Sequence, residues 1–112
     1  MEKLDLYRKI IQDVLKEYVS AGQDHNKDAK TQLLFDPVND HYQLMRVGWQ
    51  GRNRIYYIVF HFDIYDGKIW VQHNASDYDI VGDIEAKGVP KEDIVLAFHS
   101  PFMRNFMDYA AA

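Results

Sequence analysis

Apolar residues recur every three or four positions along the first twenty residues of the chain. This spacing places them on one side of an α-helix, and charged residues fall largely on the other side. The pattern predicts an amphipathic helix over residues 3–20, with Gly22 as its stop, since glycine tolerates the left-handed backbone found at helix ends. Residues 22–30 are polar and rich in turn formers, which predicts an exposed loop.

Four segments with strand-like composition follow, separated by short runs of turn-forming residues. Connections this short can join antiparallel strands but cannot carry a crossover between parallel ones. The segments therefore predict one antiparallel sheet built from hairpins. The predicted strands are 31–35, 41–49, 54–65 and 68–74.

The Asp66-Gly67 pair between the last two strands is the sharpest turn signal in the chain. A two-residue type I′ turn needs positive φ at both positions, which Asp tolerates and Gly adopts freely. Such a turn also sets the register of the two strands. The predicted pairs are Tyr65–Lys68, Ile64–Ile69, Asp63–Trp70, Phe62–Val71, His61–Gln72 and Phe60–His73.

This register gives the hairpin two faces of different character, because successive side chains of a strand point to opposite sides. The apolar face is the predicted core face and carries Tyr56, Ile58, Phe60, Phe62, Ile64, Ile69 and Val71. The other face is polar and aromatic, and carries His61, Asp63, Trp70 and Gln72.

The second half of the chain predicts two more helices and one ambiguous apolar segment. Ser76 is the predicted N-cap of a helix over residues 77–87. Residues 94–98 are too few to assign by periodicity, and we expect a strand or a buried turn. The Ser-Pro pair at 100–101 predicts the start of a last helix that runs to about residue 110. The predicted fold is α+β, with a four-stranded antiparallel sheet packed against the N- and C-terminal helices.

Composition places the chain among small globular proteins. Its 112 residues suit one domain, predicted to span 1–112, and the absence of cysteine excludes disulfides and thiolate metal ligands. No apolar run approaches the about 18 residues of a membrane span, and the charged start lacks the pattern of a signal peptide. We therefore expect a cytoplasmic protein that has no membrane partner. The net charge of −4 disfavours DNA binding through phosphate neutralisation.

No motif of a known catalytic apparatus is recognisable. The three serines lack the G-x-S-x-G elbow of a hydrolase, and no glycine-rich loop carries the Lys-Ser/Thr pair of a phosphate-binding loop. The residues themselves therefore predict no catalytic, cofactor-binding or metal site, and we expect a protein that is not an enzyme.

An alternative is a metal-dependent enzyme that uses His61 and Asp63, since these two potential ligands lie on one strand face. A zinc or iron site needs three or four converging ligands. The predicted register places His73 on the opposite face, and the position of His41 is left open. The favoured interpretation is that His61 and Asp63 pair with each other or with a neighbour such as Arg46.

Aromatic and arginine side chains favour an interaction surface, since these residue types dominate the binding energy of protein interfaces. Several of them fall in the predicted sheet, namely Arg46, Trp49, Arg52, Arg54, Tyr57 and Trp70. The candidate interaction surface comprises Arg46, Tyr57, His61, Asp63, Trp70 and Gln72. An alternative is a nucleic-acid-binding module that uses the sheet face with Arg46, Tyr57 and Trp70 for charge and stacking contacts.

Four long stretches resemble one known family. They are LDLYRKIIQDVLKEY at 4–18, FDPVNDHYQLMRVGW at 35–49, DGKIWVQHN at 66–74 and GVPKEDIVLAFHSPFMR at 88–104. Together they closely resemble the XisI-like family of excision controlling factors, small cyanobacterial proteins, over nearly the whole chain.

This resemblance implies a single XisI-like domain and a biological context. The family is associated with developmentally controlled excision of the fdxN element, a DNA segment that interrupts a nitrogen-fixation operon in heterocysts. A separate recombinase exchanges the strands, and the XisI-like protein is an accessory factor usually encoded beside a XisH-like partner. We therefore expect a non-enzymatic controlling factor that binds a XisH-like protein. A homodimer through an aromatic patch and direct contact with DNA are left open.

Overall fold

The computed structural model describes residues 2–22 and 27–112. Within these ranges it contains a five-stranded sheet with helices before and after the four long strands. Part of the predicted 22–30 loop, residues 23–26, lies outside the described residues. The elements are α1 (Lys3–Ser20), β1 (Ala29–Asp36), β2 (His41–Gln50), β3 (Asn53–Tyr65), β4 (Lys68–Asn74), α2 (Ile80–Ala86), β5 (Ile94–Leu96) and α3 (Pro101–Arg104), with a 3-10 turn at Lys91–Asp93.

Helix α1 has the predicted bounds and covers one face of the sheet. Gly22 follows it with a φ of +67°, and its N–H donates to the carbonyl of Val19, so the predicted stop is confirmed. None of the helices in the described part of the chain is long and apolar enough to cross a membrane. The buried stripe of the helix is Tyr7, Ile10, Ile11, Val14, Leu15 and Tyr18.

The sheet is mixed, with the strand order β1-β2-β3-β4-β5. The first four strands form the predicted antiparallel hairpins, and β5 then pairs with β4 in parallel. The four-stranded sheet of the prediction is therefore one strand short. The fifth strand comes from the 94–98 segment, which is predicted as a strand or a buried turn. It pairs in parallel because the connection after β4 contains α2 and carries the chain back across the sheet.

The type I′ turn is confirmed, with φ angles of +53° at Asp66 and +74° at Gly67. The four predicted pairs next to the turn are also confirmed. Further along, the register shifts by one residue, so that His61 lies opposite His73 and not opposite Gln72. Residues directly opposite each other share a sheet face. The predicted placement of His73 on the other face from His61 is therefore wrong.

A second irregularity lies between β2 and β3, where Leu44 pairs with Phe60 but Met45 pairs with Ile58. Val59 is the extra residue of this β-bulge. As a result, Tyr56, predicted in the core, is 66% exposed, whereas Val59 is buried.

The core lies between α1, α2 and the sheet face that the helices cover. The apolar face predicted for the hairpin is confirmed at five positions, which are all buried. These are Phe60, Phe62, Ile64, Ile69 and Val71.

The second half departs from prediction at two helix boundaries. Helix α2 begins at Ile80, and its N-cap is Asp79, whose carboxylate accepts the N–H of Gly82 at 3.0 Å. The predicted cap Ser76 instead forms a local turn, since its hydroxyl accepts the N–H of Tyr78. Ser100 does cap α3 as predicted.

Helix α3 ends at Arg104, well short of residue 110. The reason is an alternative partner for the backbone. Ala110 donates its N–H to the carbonyl of Ile94 at 2.9 Å and forms a parallel bridge with Val95. The C-terminal segment thus extends the sheet edge beside β5.

Candidate functional site

Two imidazoles and one carboxylate meet on the sheet face opposite α1. His41 begins β2 and lies directly across from Asp63 of β3, and His61 precedes Asp63 by two residues on the same strand. Asp63 Oδ1 is 2.7 Å from His41 Nδ1 and 2.8 Å from His61 Nε2. One potential ligand atom of each residue lies within 4.8 Å of the other two. We refer to His41, His61 and Asp63 as the His–Asp–His cluster.

The carboxylate of Asp63 is held on both oxygens. Gln72 of β4 donates its Nε2 to Oδ2 at 3.1 Å, while Oδ1 faces the two imidazoles. Burial acts to raise the pKa of Asp63, but the hydrogen bonds from His41 and His61 outweigh it and lower the pKa overall. The hydrogen bond to Asp63 raises the pKa of His41. The two partners thus stabilise each other's charged forms.

Two surface cavities adjoin His41. One of about 340 Å³ is lined by Asn39, His41, Asp63, Ile64, Tyr65, Trp70 and Gln72. The other, of about 540 Å³, lies on the β1 side and is lined by Leu33, Leu34, Phe35, Asp36, His41 and Gln43. His41 is therefore reachable from solvent on both sides of β2, and Asp63 is reachable from the smaller cavity.

Trp70 packs beside the cluster. Its indole N–H donates to the carbonyl of Tyr65 at 3.0 Å, and the Tyr65 ring meets it edge to face. The guanidinium of Arg104 lies 5.6 Å from the Trp70 ring centre. Trp70 therefore joins the hairpin to the C-terminal segment.

Four of the six residues predicted for the interaction surface come together here: His61, Asp63, Trp70 and Gln72. Arg46 and Tyr57 do not join them. They pair with each other across β2 and β3 on the α1 side of the sheet, and Arg46 is 4% exposed and contacts the hydroxyl of Thr31. The predicted surface, and the nucleic-acid-binding face of Arg46, Tyr57 and Trp70, are thus split between two sides of the sheet. Alternation along β2 from Leu44 explains this, since Arg46 follows it by two positions.

A separate aromatic surface lies near the turn between β2 and β3. The Arg54 guanidinium lies between two rings, 5.2 Å from the centre of Trp49 and 5.6 Å from the centre of Tyr56. It also donates to the carbonyl of Gly48 at 3.3 Å. Trp49 is 58% exposed and Tyr56 is 66% exposed. We refer to Trp49, Arg54 and Tyr56 as the aromatic ladder.

Sequence reasoning missed His41 as a member of the cluster, although a signal was available. The two-residue turn after Gln50 pairs Gln50 with Asn53. If the pairing of β2 with β3 continued from there without a bulge, Tyr42 would pair with His61. Such a register sets a buried aromatic side chain against a polar one. A β-bulge avoids this mismatch, because it shifts the register by one residue. The shift moves His41 from a position opposite Phe62 to one opposite Asp63.

Comparison with known proteins gives one consistent picture. A family model described as XisI protein matches residues 1–111. The crystal structure of a XisI-like protein from Anabaena variabilis has a TM-score of 0.90 and 44% identity, covering 97% of this chain and 99% of that one. The crystal structure of the fdxN element excision controlling factor XisI from the same organism has a TM-score of 0.87 and 32% identity, covering 99% of this chain and 100% of that one. No curated protein matches the chain.

Proposed function

The chain belongs to the XisI protein family, and on that premise we propose that it is a non-enzymatic controlling factor in the excision of a DNA element. It acts by binding a XisH-like partner protein and leaves strand exchange to a recombinase. The similar structure from Anabaena variabilis supports the role, because that protein is named as an excision controlling factor.

The aromatic ladder is the main structural support for the proposed partner binding. Trp, Tyr and Arg are the residue types most enriched among interface hot spots. Here they are arranged in one exposed row on adjacent strands, with Arg54 between two half-exposed rings. The contacts of Arg54 with both rings and with the carbonyl of Gly48 already restrict its side chain, so less side-chain freedom is lost when a partner covers the row. The proposed partner surface therefore centres on Trp49, Arg54 and Tyr56.

Co-expression with the XisH-like protein encoded nearest to this gene tests the proposal. We expect the two chains to co-purify and to elute together in size-exclusion chromatography at micromolar concentration. Failure to form a complex at that concentration would contradict the proposed partner.

Variants then locate the surface. Trp49→Ala and Tyr56→Ala each remove a ring of hot-spot type, for which a loss of about 2 kcal/mol, or roughly 30-fold in Kd, is expected. Phe106→Ala is the matched control, because Phe106 is an equally exposed aromatic residue on the C-terminal segment. Equal losses in all three variants would argue against the ladder as the specific surface.

A further inference from the structure

The His–Asp–His cluster has the composition of a transition-metal site. Two imidazole nitrogens and one carboxylate oxygen form the ligand set found in mononuclear non-haem iron sites and in several zinc enzymes. Each ligand atom of the cluster lies within 4.8 Å of the other two. Because there is no thiolate in the chain, nitrogen and oxygen are the available protein ligands.

The three side chains converge because paired strands place them. His41 and Asp63 are directly opposite each other, and His61 points to the same side as Asp63 at the next position of that face. Sites built on strands hold their geometry more precisely than sites on loops. The arrangement is therefore set by the register of β2 and β3 and does not depend on a loop folding over the ion.

The distances fit a site that closes on an ion with small shifts. At zinc–ligand bonds of about 2.0–2.1 Å, two ligand atoms on one ion lie roughly 3 Å apart. Asp63 Oδ1 is 2.7 Å from one imidazole nitrogen and 2.8 Å from the other. Because an ionised carboxylate only accepts hydrogen bonds, the nitrogens of His41 and His61 are the donors to this oxygen. A bound metal ion would replace the two protons, since ligating imidazole is deprotonated at the bound nitrogen.

Gln72 supplies the outer contact that ligating carboxylates characteristically have. Its amide donates to Asp63 Oδ2 at 3.1 Å and leaves Oδ1 directed at the imidazoles. Partners of this kind orient the ligand and raise metal affinity. The cavity of about 340 Å³ beside His41, Asp63 and Gln72 leaves room for water or another donor to complete the coordination.

We propose that His41, His61 and Asp63 bind one divalent first-row transition metal ion, such as Zn²⁺, on the sheet face opposite α1, with Gln72 as an outer contact. Imidazole ligands favour Zn²⁺, Co²⁺ or Fe²⁺ over Mg²⁺ and Ca²⁺, which prefer oxygen ligands. The proposed metal site shares no residue with the aromatic ladder, and it does not depend on the proposed XisH-like partner.

Calorimetric titration of the untagged, chelator-treated full chain with Zn²⁺ tests the proposal. We expect one ion bound per chain, and no competition from excess Mg²⁺. Gln72→Ala should weaken Zn²⁺ binding by about 10–100-fold. A larger loss is expected when a ligand itself is replaced, as in Asp63→Asn, His41→Ala and His61→Ala. The matched control is His99→Ala, which removes an imidazole outside the cluster and should leave the affinity unchanged.

A second measurement needs no variant and therefore does not depend on the variants folding. In an NMR spectrum of the imidazole nitrogens, Zn²⁺ should shift the ring signals of His41 and His61 and leave those of His99 in place. The proposal is overturned if the chain binds no Zn²⁺, if His99→Ala loses as much affinity as the cluster variants, or if the ring signals of His41 and His61 do not move.

Discussion

His41 Nδ1 lies 2.7 Å from Asp63 Oδ1, and this contact exists because β3 carries Val59 as an extra residue. Without the bulge, the pairing set by the β2–β3 turn would put His41 opposite Phe62. The bulge is in turn required by the core, since it lets Tyr42 of β2 face Phe62 of β3 with both rings buried. The same irregularity therefore completes the apolar core on one face and assembles the polar cluster on the other.

The hydrogen bond between Tyr7 and Asp93 joins residues 86 positions apart, with an oxygen–oxygen distance of 2.5 Å. Lys3 also pairs with Asp93, at 2.9 Å. Tyr7 is 4% exposed, so Tyr7→Phe removes a well-shielded bond to a charged group. We expect a loss of about 1.5–3 kcal/mol in the free energy of unfolding at neutral pH, measured by urea denaturation.

This loss should depend on pH in a defined direction. Burial acts to raise the pKa of Asp93, but the hydrogen bonds from Tyr7 and Lys3 lower it overall. A carboxylate with a lowered folded pKa stabilises the protein above its ordinary value of 3.8, and this stabilisation is lost as the pH falls through the folded pKa. The difference between the native chain and Tyr7→Phe should therefore be full at neutral pH and shrink in acid. A difference that grows in acid would contradict this assignment.

How far the sequence predicts this fold depends on how local each signal is. Helix α1 and the Asp66-Gly67 turn follow from periodicity and turn chemistry within a few residues, and both are confirmed. Strand β5 has three residues and pairs in parallel with β4. The local pattern therefore leaves residues 94–98 open between a strand and a buried turn and does not predict the pairing. The sequence predicts that the last helix runs to about residue 110, because Phe102, Phe106 and Tyr109 would share one face of it. In the structure, the Ala110 N–H instead donates to the carbonyl of Ile94 in β5, which is distant in sequence.

The candidate site shows the same division. The register of the turn predicts that four polar or aromatic residues share one face, and the structure brings them together. They are His61, Asp63, Trp70 and Gln72. The register of the turn does not predict the two bulges, because the position of a bulge depends on how the side chains of both strands pack. For this reason the sequence alone does not place His41 in the site, and it predicts Tyr56 in the core.

Gly67→Ala tests the type I′ turn directly. Gly67 has a φ of +74°, and a Cβ there would meet no atom nearer than Lys3 Nζ at 3.9 Å. The cost is therefore backbone strain without a clash, about 1–2 kcal/mol of unfolding free energy.

Gly48→Ala is the informative comparison, since its Cβ would lie 2.2 Å from the carbonyl oxygen of Asp28 and 2.8 Å from the Cα of Ala29. Backbone at β1 must then move. We expect a larger loss than for Gly67→Ala in the same denaturation experiment, together with faster amide exchange in β1. Equal losses without a change in β1 exchange would argue against this close approach.

Asp79→Ala tests which residue caps α2. The Asp79 carboxylate accepts the N–H of Gly82, so its removal leaves a first-turn donor without its side-chain partner. We expect a loss of about 1 kcal/mol in the free energy of unfolding. Asp79→Asn is the matched control, because asparagine caps helices as well as aspartate does, and it should retain most of the stability. A full loss in both variants would mean that the charge and not the cap is what matters.

Arg104 fixes the C-terminal segment to the sheet, and its removal should release that segment without unfolding the core. The guanidinium donates to the carbonyls of His99 at 3.0 Å and Ala111 at 3.1 Å, and it lies over the Trp70 ring. We expect Arg104→Ala to cost about 1–3 kcal/mol locally, because two charge-assisted hydrogen bonds and a cation–π contact are lost. Hydrogen exchange at the Ala110 amide, which donates to the carbonyls of Ile94 and Lys91, reports this release.

The control for this release is Arg52→Ala, which removes an exposed arginine from the β2–β3 turn. Amide exchange in β4 should be unchanged in both variants, since its antiparallel pairs with β3 do not involve the C-terminal segment. Exchange at Ala110 should accelerate for Arg104→Ala alone, because the parallel bridge between Ala110 and Val95 is an isolated one outside the strands of the sheet. If Ala110 remained as protected as in the native chain, the bridge to β5 would hold the segment by itself, and the role assigned to Arg104 would be wrong.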